Sequence, residues 1–434
     1  MQAVQLEESI TIAERMFQLI RRMYPICRSI TGHGVRQTLE IISEYIPLTT
    51  YEIQTGVALF DWTAPKEWNI RDAFIKNSKG EKIVDFRNCN LHVLNYSVPV
   101  SKKVSLEELK AHTFTIPDHP DWIPYRTSYY AENWGFCLSH NQLLALSEDE
   151  YEVVIDSSLQ DGHLTFGEYF IKGQTEHEVL ISTHICHPSL ANDNLSGIAV
   201  AVFLAKHLTQ VASLKHSYRF LFTPGMIGSI AWLSRNESQV SRIAHGIIIA
   251  CVGDSGQITY KKSRRGNAEI DHAVLQVLKD TGTTHQVLEF SPFGYDERQF
   301  CSPGFNLPVG CFMRTPHGKF PEYHTSADNL EFIQPQYLGD SLSKCSMILQ
   351  LLEQNATYMN LNSKCEPQLG KRGLYGSIGG ASDGRSLELA MLWVLNWSDG
   401  DHSLLDIAEK SGLKFLTIKN AADALHASGL LRRQ

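Results

Sequence analysis

The stretch LISTHICHPSLANDNLSGIAVAVFLAKHL (180–208) changes rhythm halfway along. Its opening completes EVLISTH (178–184), an unbroken apolar run of strand length, and its close lies within LSGIAVAVFLAKHLTQ (195–210), which has the length and apolarity of a buried helix. A strand apolar on both faces that runs into a helix predicts a sheet covered on both sides. Between the two, His184 ends the strand and Asp193 stands just before the helix. Sites in such folds are built beyond strand ends, and imidazole with carboxylate suits zinc. His187 is a further ligand candidate, although Pro188 governs the turn that would place it. The same residues also suit a loop held by Asx and Ser turns, with His184 merely finishing a strand.

The α/β texture extends outward over 177–355. Strands are predicted at 217–224, 246–252 and 309–314, and helices at 227–236, 268–281 and 334–355. IIIACVGDSG (247–256) puts Asp254 just beyond an apolar strand, and FPEYHTSADNLEFI (320–333) puts His324 in a polar loop. With His184 and Asp193 these make two histidines and two carboxylates at sheet edges, a plausible ligand set for a metal. Asp328 follows His324 by four residues and is a candidate acceptor for the second imidazole N–H; a helix N-cap is its other reading. No G-x-G-x-x-G follows a strand and no G-x-x-x-x-G-K-[ST] occurs, so nucleotide sites of those kinds are unsupported.

Helical periodicity opens the chain at 9–24 and 32–46, where Pro47 ends it. From about 51 to 165 short alternating segments predict a mainly β domain with one short helix near 68–75. This region is dense in Trp and Tyr. Its segment RTSYYAENWG (126–135) suits either aromatic packing or a polar and aromatic wall for a substrate, with Arg126, Tyr129 and Tyr130 as the candidate contacts. A Gly-rich link, 370–386, precedes three predicted helices with the look of a winged helix-turn-helix. From 370 to 434 eight basic residues face seven acidic ones, a net +1, weak for a DNA reader; packing or dimerisation fits better.

The 434 residues are 43% hydrophobic and 20% charged with a net charge of −8, which gives no general attraction to nucleic acid or acidic membranes. No run of apolar residues is long enough to span a bilayer, and the opening MQAVQLEESITIAERMF lacks the cationic start and apolar core of a signal peptide. Nine cysteines without a C-x-x-C pair suggest a reduced, cytoplasmic protein.

THICHPSLANDNLSG, GYDERQFCSPG and YHTSADNLEFI together resemble the zinc aminopeptidase-like fold of the co-catalytic di-zinc exopeptidases. The resemblance spans nearly the whole chain. It is nearest a subfamily labelled aminopeptidase-like or polysaccharide-biosynthesis proteins, with an inserted β domain and a C-terminal winged helix. It implies an α/β fold: a mixed sheet covered by helices, with a core over 1–50 and 166–366, an inserted mainly β domain over 51–165 and a winged-helix-like domain over 367–434. It also implies His184, Asp193, Asp254 and His324 as metal ligands, Asp193 being the bridging carboxylate, and brings Asp296, Glu297 and Arg298 of GYDERQF toward the substrate.

One departure stands out. Peptidases of this fold carry glutamates after the second core strand, one a base and one a ligand. Here FLFTPGMIGSIAW (220–232) has Gly225 at that place, and no Asp or Glu occurs from Tyr218 to Ser234. Glu168 is the expected substitute base. One zinc ion is favoured over two, since His184, Asp193 and His324 suffice for a three-ligand site. Two functions follow: a metal-dependent hydrolase of an amide or peptide-like conjugate, or a non-hydrolytic metal- and ligand-binding or assembly protein in polysaccharide or natural-product biosynthesis. The partner expected is a small molecule or peptide-like conjugate, without membrane attachment and with homo-oligomerisation open.

Overall fold

The computed structural model describes residues 2–374 and 382–434. Part of the predicted Gly-rich link, 375–381, lies outside the described residues. Contacts divide the chain into two compact units, one of residues 1–266 and 286–342 and the other of 267–285 and 343–434.

The first unit is organised by an eight-stranded sheet. Its strands are β1 (Thr49–Gln54), β2 (His163–Ile171), β3 (Glu178–His184), β4 (Ser217–Thr223), β5 (Ile243–Ile249), β6 (Ile258–Lys261), β7 (His285–Leu288) and β8 (Val309–Met313), in the order β1-β2-β4-β3-β5-β8-β6-β7. The four central strands, β4, β3, β5 and β8, are parallel. Every residue of β3, β4 and β8 is buried, which is why their sequences are continuous apolar runs rather than alternating ones. Helices α1 (Gln2–Met23), α2 (His33–Ser43), α3 (Gly197–Leu208) and α4 (Ile227–Asn236) belong to the same unit. Helix α3 begins close against β5: a Cβ at Gly197 would lie 2.4 Å from the Ile249 carbonyl oxygen, so only glycine fits there.

Because β3 and β4 run parallel with His184 opposite Thr223, the chain leaves both strands on the same edge of the sheet. The ends of β3, β4, β5 and β8 and the segments that follow them carry His184 with Asp193, Gly225, Cys251–Asp254 and His324 respectively. Parallel topology thus gathers residues up to 140 positions apart.

A second sheet of four antiparallel strands is built from Lys82–Asp85, Glu67–Lys76, Glu150–Gln160 and Val100–Ser105. The strand Glu150–Gln160 alternates buried and partly exposed residues, as a sheet with one wet face requires. The helix expected near 68–75 is instead the strand Glu67–Lys76. Its register shifts between Ile70 and Asp72, and that irregularity breaks the two-residue alternation that marks a strand.

In the second unit, helices Ser382–Trp397, Leu404–Ser411 and Phe415–Ala427 accompany a three-stranded sheet of Asp399–Ser403, Thr357–Asn360 and Leu431–Arg433. Ser403 and Asp406 form a capping box at the start of the second of these helices, and Gly412, with φ +71°, ends it. Among the described residues, no helix is long and apolar enough to cross a membrane.

Candidate metal centre

The segment Ala191–Ser196 between β3 and α3 is an irregular turn in which Asp193 and Asn194 leave helical geometry. The neighbours of Asp193 hold it there. Asn194 donates to Thr183 Oγ1 at 2.7 Å and accepts from the Cys251 N–H at 3.1 Å. Asn192 donates to Asp254 Oδ2 and accepts from the Gly253 N–H, both at 2.9 Å. Ser196 accepts from the Val252 N–H at 3.0 Å. The polar residues of ANDNLS therefore tie the turn to the loop after β5, and Asp193 is left free to face the histidines.

Asp193 is fully buried, and three imidazoles surround it. His184 Nε2 lies 2.8 Å from Oδ1, His324 Nε2 lies 2.9 Å from Oδ2, and His187 Nδ1 lies 3.3 Å from Oδ2. One ligand atom from each of His184, His187 and Asp193 falls within 4.8 Å of the others. The angles decide what this means. Despite their proximity, Asp193 Oδ2 and His324 Nε2 are both buried without a well-formed hydrogen bond. Orphaned atoms of this kind are costly unless something else binds them. A carboxylate oxygen and an imidazole nitrogen converging at that spacing are the donor set of zinc, so these residues fit such an ion.

The charge states agree. Burial holds His184 and His324 below the usual imidazole pKa despite the pull of Asp193. Burial alone would raise the Asp193 carboxyl, yet His187, His184 and His324 keep it well below the ordinary range. His187 is also disfavoured as a cation by burial, but Asp193 outweighs this and raises it well above the usual value. Neutral imidazoles and an ionised carboxylate are the forms that ligate metals; His184, His324 and Asp193 are held in them, whereas Asp193 favours the cation of His187.

Aromatic rings wall the cluster. Tyr295 stacks on His184 with centroids 5.0 Å apart, and Tyr125 stands edge-on to His187 and His324 at 5.2 and 5.1 Å. Tyr125 comes from the aromatic-rich region, which docks on the His324 loop through main-chain bonds: Tyr125 N–H to the His324 carbonyl and Ser326 N–H to the Ile123 carbonyl, each 2.8 Å. His324 itself has φ +56°, a left-handed backbone that few non-glycine residues adopt.

The structure brings His184, Asp193 and His324 together and adds His187. Asp254 stands one layer back. Its carboxylate accepts from Asn192, the Gly256 N–H and Thr315 Oγ1 rather than from the histidines. Asp328 supports the site by a different route from the one expected: it accepts the Asn192 and Asp193 N–H groups at 2.6 and 2.9 Å, gripping Asp193 by its backbone rather than a histidine ring. Burial raises the Asp328 carboxyl to about 8. No helix begins at Asp328, so it caps none.

Glu168, the expected substitute base, lies on β2 with both oxygens taken, one by Arg219 at 2.5 Å and one by Trp232 Nε1 at 2.7 Å. Glu297 is turned inward, completely buried and paired with Lys261 Nζ at 2.7 Å, rather than facing a substrate. Arg298 packs its guanidinium on the Met226 sulfur. Tyr129 Oη meets Tyr125 Oη at 2.8 Å, one step behind the histidines, whereas Tyr130 is half exposed and donates to the Thr63 carbonyl. Arg126 is exposed, and its charge adds a little to the lowering of His324 that burial chiefly causes. His187, a ligand candidate whose placement Pro188 left open, joins the cluster; two residues escaped the sequence reading: Tyr125, one position before the segment singled out, and Cys251, whose Sγ lies 2.8 Å from Tyr295 Oη.

Residues 17–355 match the family described as domain of unknown function DUF4910, and residues 356–433 match the winged helix-turn-helix family. A Clostridium acetobutylicum protein, named as a candidate polysaccharide biosynthesis protein with an aminopeptidase-like domain, is 55% identical over 427 residues, 98% of each chain. The crystal structure of a candidate peptidase from Clostridium acetobutylicum superposes with a TM-score of 0.93 at 52% identity, covering 100% of this chain and 99% of that one. A zinc aminopeptidase from Bacillus subtilis shares the fold at 14% identity, with a TM-score of 0.56 over 78% of this chain and 94% of its own.

Proposed function

Since the chain belongs to the DUF4910 family and has an aminopeptidase-like fold, we propose that it is a metal-dependent hydrolase of an amide or peptide-like conjugate. The observation that carries this reading is the buried Asp193 carboxylate, with His184 and His324 converging on its two oxygens and two of the facing atoms lacking hydrogen bonds. His184, Asp193 and His324 would hold one zinc ion, with His187 as the adjoining imidazole. When bound, zinc polarises a carbonyl and acidifies water. The chain's own residues do the rest. Asp328 fixes the Asp193 backbone, Tyr295 and Tyr125 shield the imidazoles from water, Tyr129 holds the Tyr125 hydroxyl, and the exposed Arg126 offers a polar contact to the substrate.

Gly225 favours a second reading, a non-hydrolytic binding protein in polysaccharide or natural-product biosynthesis. The two separate in one experiment. Protein purified without chelator is analysed for metal, then assayed against a panel of aminoacyl chromogenic amides with zinc, cobalt and manganese. Near-stoichiometric metal with turnover of at least one amide, slower than about 1 per second, is the expected result. Stoichiometric metal with no turnover selects the second reading, and absence of metal binding removes both.

A further inference from the structure

The place left by Gly225 is faced by another residue. A Cβ at position 225 would lie 3.1 Å from His184 Cβ and 3.7 Å from Asp296 Oδ1. Gly225 thus sits between a metal-ligand candidate and a carboxylate brought in from a distant loop. We propose that Asp296 takes over the proton-transfer task of the missing glutamate.

Several observations converge. Asp296 occupies the N-cap position of the short helix Glu297–Phe300, yet its side chain caps nothing there. It is turned instead toward α4, where Ser229 Oγ donates to Oδ1 at 3.1 Å. The other oxygen, Oδ2, is buried and has no hydrogen-bond partner. Its neighbours fix this orientation: Tyr295 stacks on His184, and Glu297 is locked by the buried Lys261. Asp296 is 1% exposed. Burial, only partly offset by Ser229, raises its carboxyl to about 7, the range in which a group both takes and returns a proton near neutral pH. Glu168 has no comparable freedom, with both oxygens engaged.

This inference rests on the hydrolase reading. In the step assigned, Asp296 Oδ2 accepts one proton from the attacking water as the C–O bond forms. It returns that proton to the leaving nitrogen as the C–N bond breaks, giving a carboxylic acid and an amine. No redox change or further reactant is involved.

Two measurements on the full-length, zinc-loaded protein test it. The first needs no turnover. Calorimetric titration with acetohydroxamic acid at pH 8, in buffers of different ionisation enthalpy, counts protons released on binding. Wild type is expected to release close to none, because Asp296 keeps the proton, and Asp296→Asn about one. Equal release by both overturns the inference. The second is kcat on the best amide of the panel. Asp296→Asn is expected to lose about 10²–10⁴-fold with unchanged zinc content, and Asp296→Glu to recover part of it. Loss of zinc from Asp296→Asn would make Asp296 a ligand and overturn the proposal. If Asp296→Asn fails to fold, the proton count is read on Asp296→Ala, which must release about one proton; release equal to wild type overturns the inference. If wild type cleaves no amide, the hydrolase reading fails, and the proton count alone decides whether Asp296 is the proton acceptor.

Discussion

Strand β4 and its neighbours carry two buried charge clusters of opposite character. On β4 itself, Arg219 binds Glu178 through two nitrogens at 2.6 and 2.9 Å and Glu168 through a third at 2.5 Å, while Trp232 fills the remaining Glu168 oxygen. Every charged atom there is satisfied within the protein. Four residues along, beyond the strand end, Asp193, His324 and Asp296 each keep a buried atom with no hydrogen bond. The closed cluster ties three strands of the sheet together, and the open one is the cluster proposed above to hold an ion. Buried charge alone does not distinguish structure from function; orphaned atoms that converge from several distant segments are the more telling sign.

The comparison breaks most decisively at the metal. His184→Ala and His324→Ala should reduce bound zinc from near-stoichiometric to background in metal analysis, whereas Glu168→Gln should leave it intact. Equal retention in all three would make the histidine cluster another closed one. Next in size, Arg219→Met leaves two buried carboxylates uncompensated and should cost about 3–5 kcal/mol in urea unfolding, with zinc content unchanged. Asp328→Asn should weaken zinc about 10–100-fold in competition with a chelator, because one N–H of Asn192 or Asp193 loses its acceptor. An unaltered affinity would show that the backbone grip on Asp193 is dispensable.

The smallest expected effect depends on pH. Glu67 is a closed site: Arg36 pairs with it at 2.5 Å, and Asn69 and the His163 N–H also donate to it. Burial would raise its carboxyl, but these partners bring it down to about 2. A folded pKa below the unfolded one contributes stability above the unfolded pKa, about 4.3, and loses it as pH falls toward 2. Arg36→Met should therefore cost about 1 kcal/mol at pH 7, allowing for partial exposure. That difference should shrink in unfolding curves taken from pH 5 down to pH 2.

The open cluster was the more legible of the two. Histidines and carboxylates after apolar strands stand out against their surroundings, and parallel topology does bring His184, Asp193 and His324 to one point. His187 was harder, because the effect of Pro188 on the turn cannot be read without the bonds that fold Ala191–Ser196 back. Asp254 has the right place along the chain, but its oxygens are committed to Asn192, Gly256 and Thr315, and sequence carries no sign of that. Glu168 looked available because Arg219 is 51 residues away in the chain. The strand Glu67–Lys76 was misread where its register shifts. Local pattern reports burial well, but pairing between distant residues is decided by geometry that one stretch of sequence does not contain.

The two main-chain bonds between the His324 loop and the Ile123–Tyr125 stretch have an evolutionary consequence. The same few residues present the aromatic wall and fix the position of His324, a candidate ligand. An insertion or deletion near Tyr125 would also displace the His324 carbonyl, so on the proposed function changes in selectivity would be epistatic with cation affinity. Drift in this lineage should proceed by exchange of exposed side chains such as Arg126, with the length of the loop held fixed.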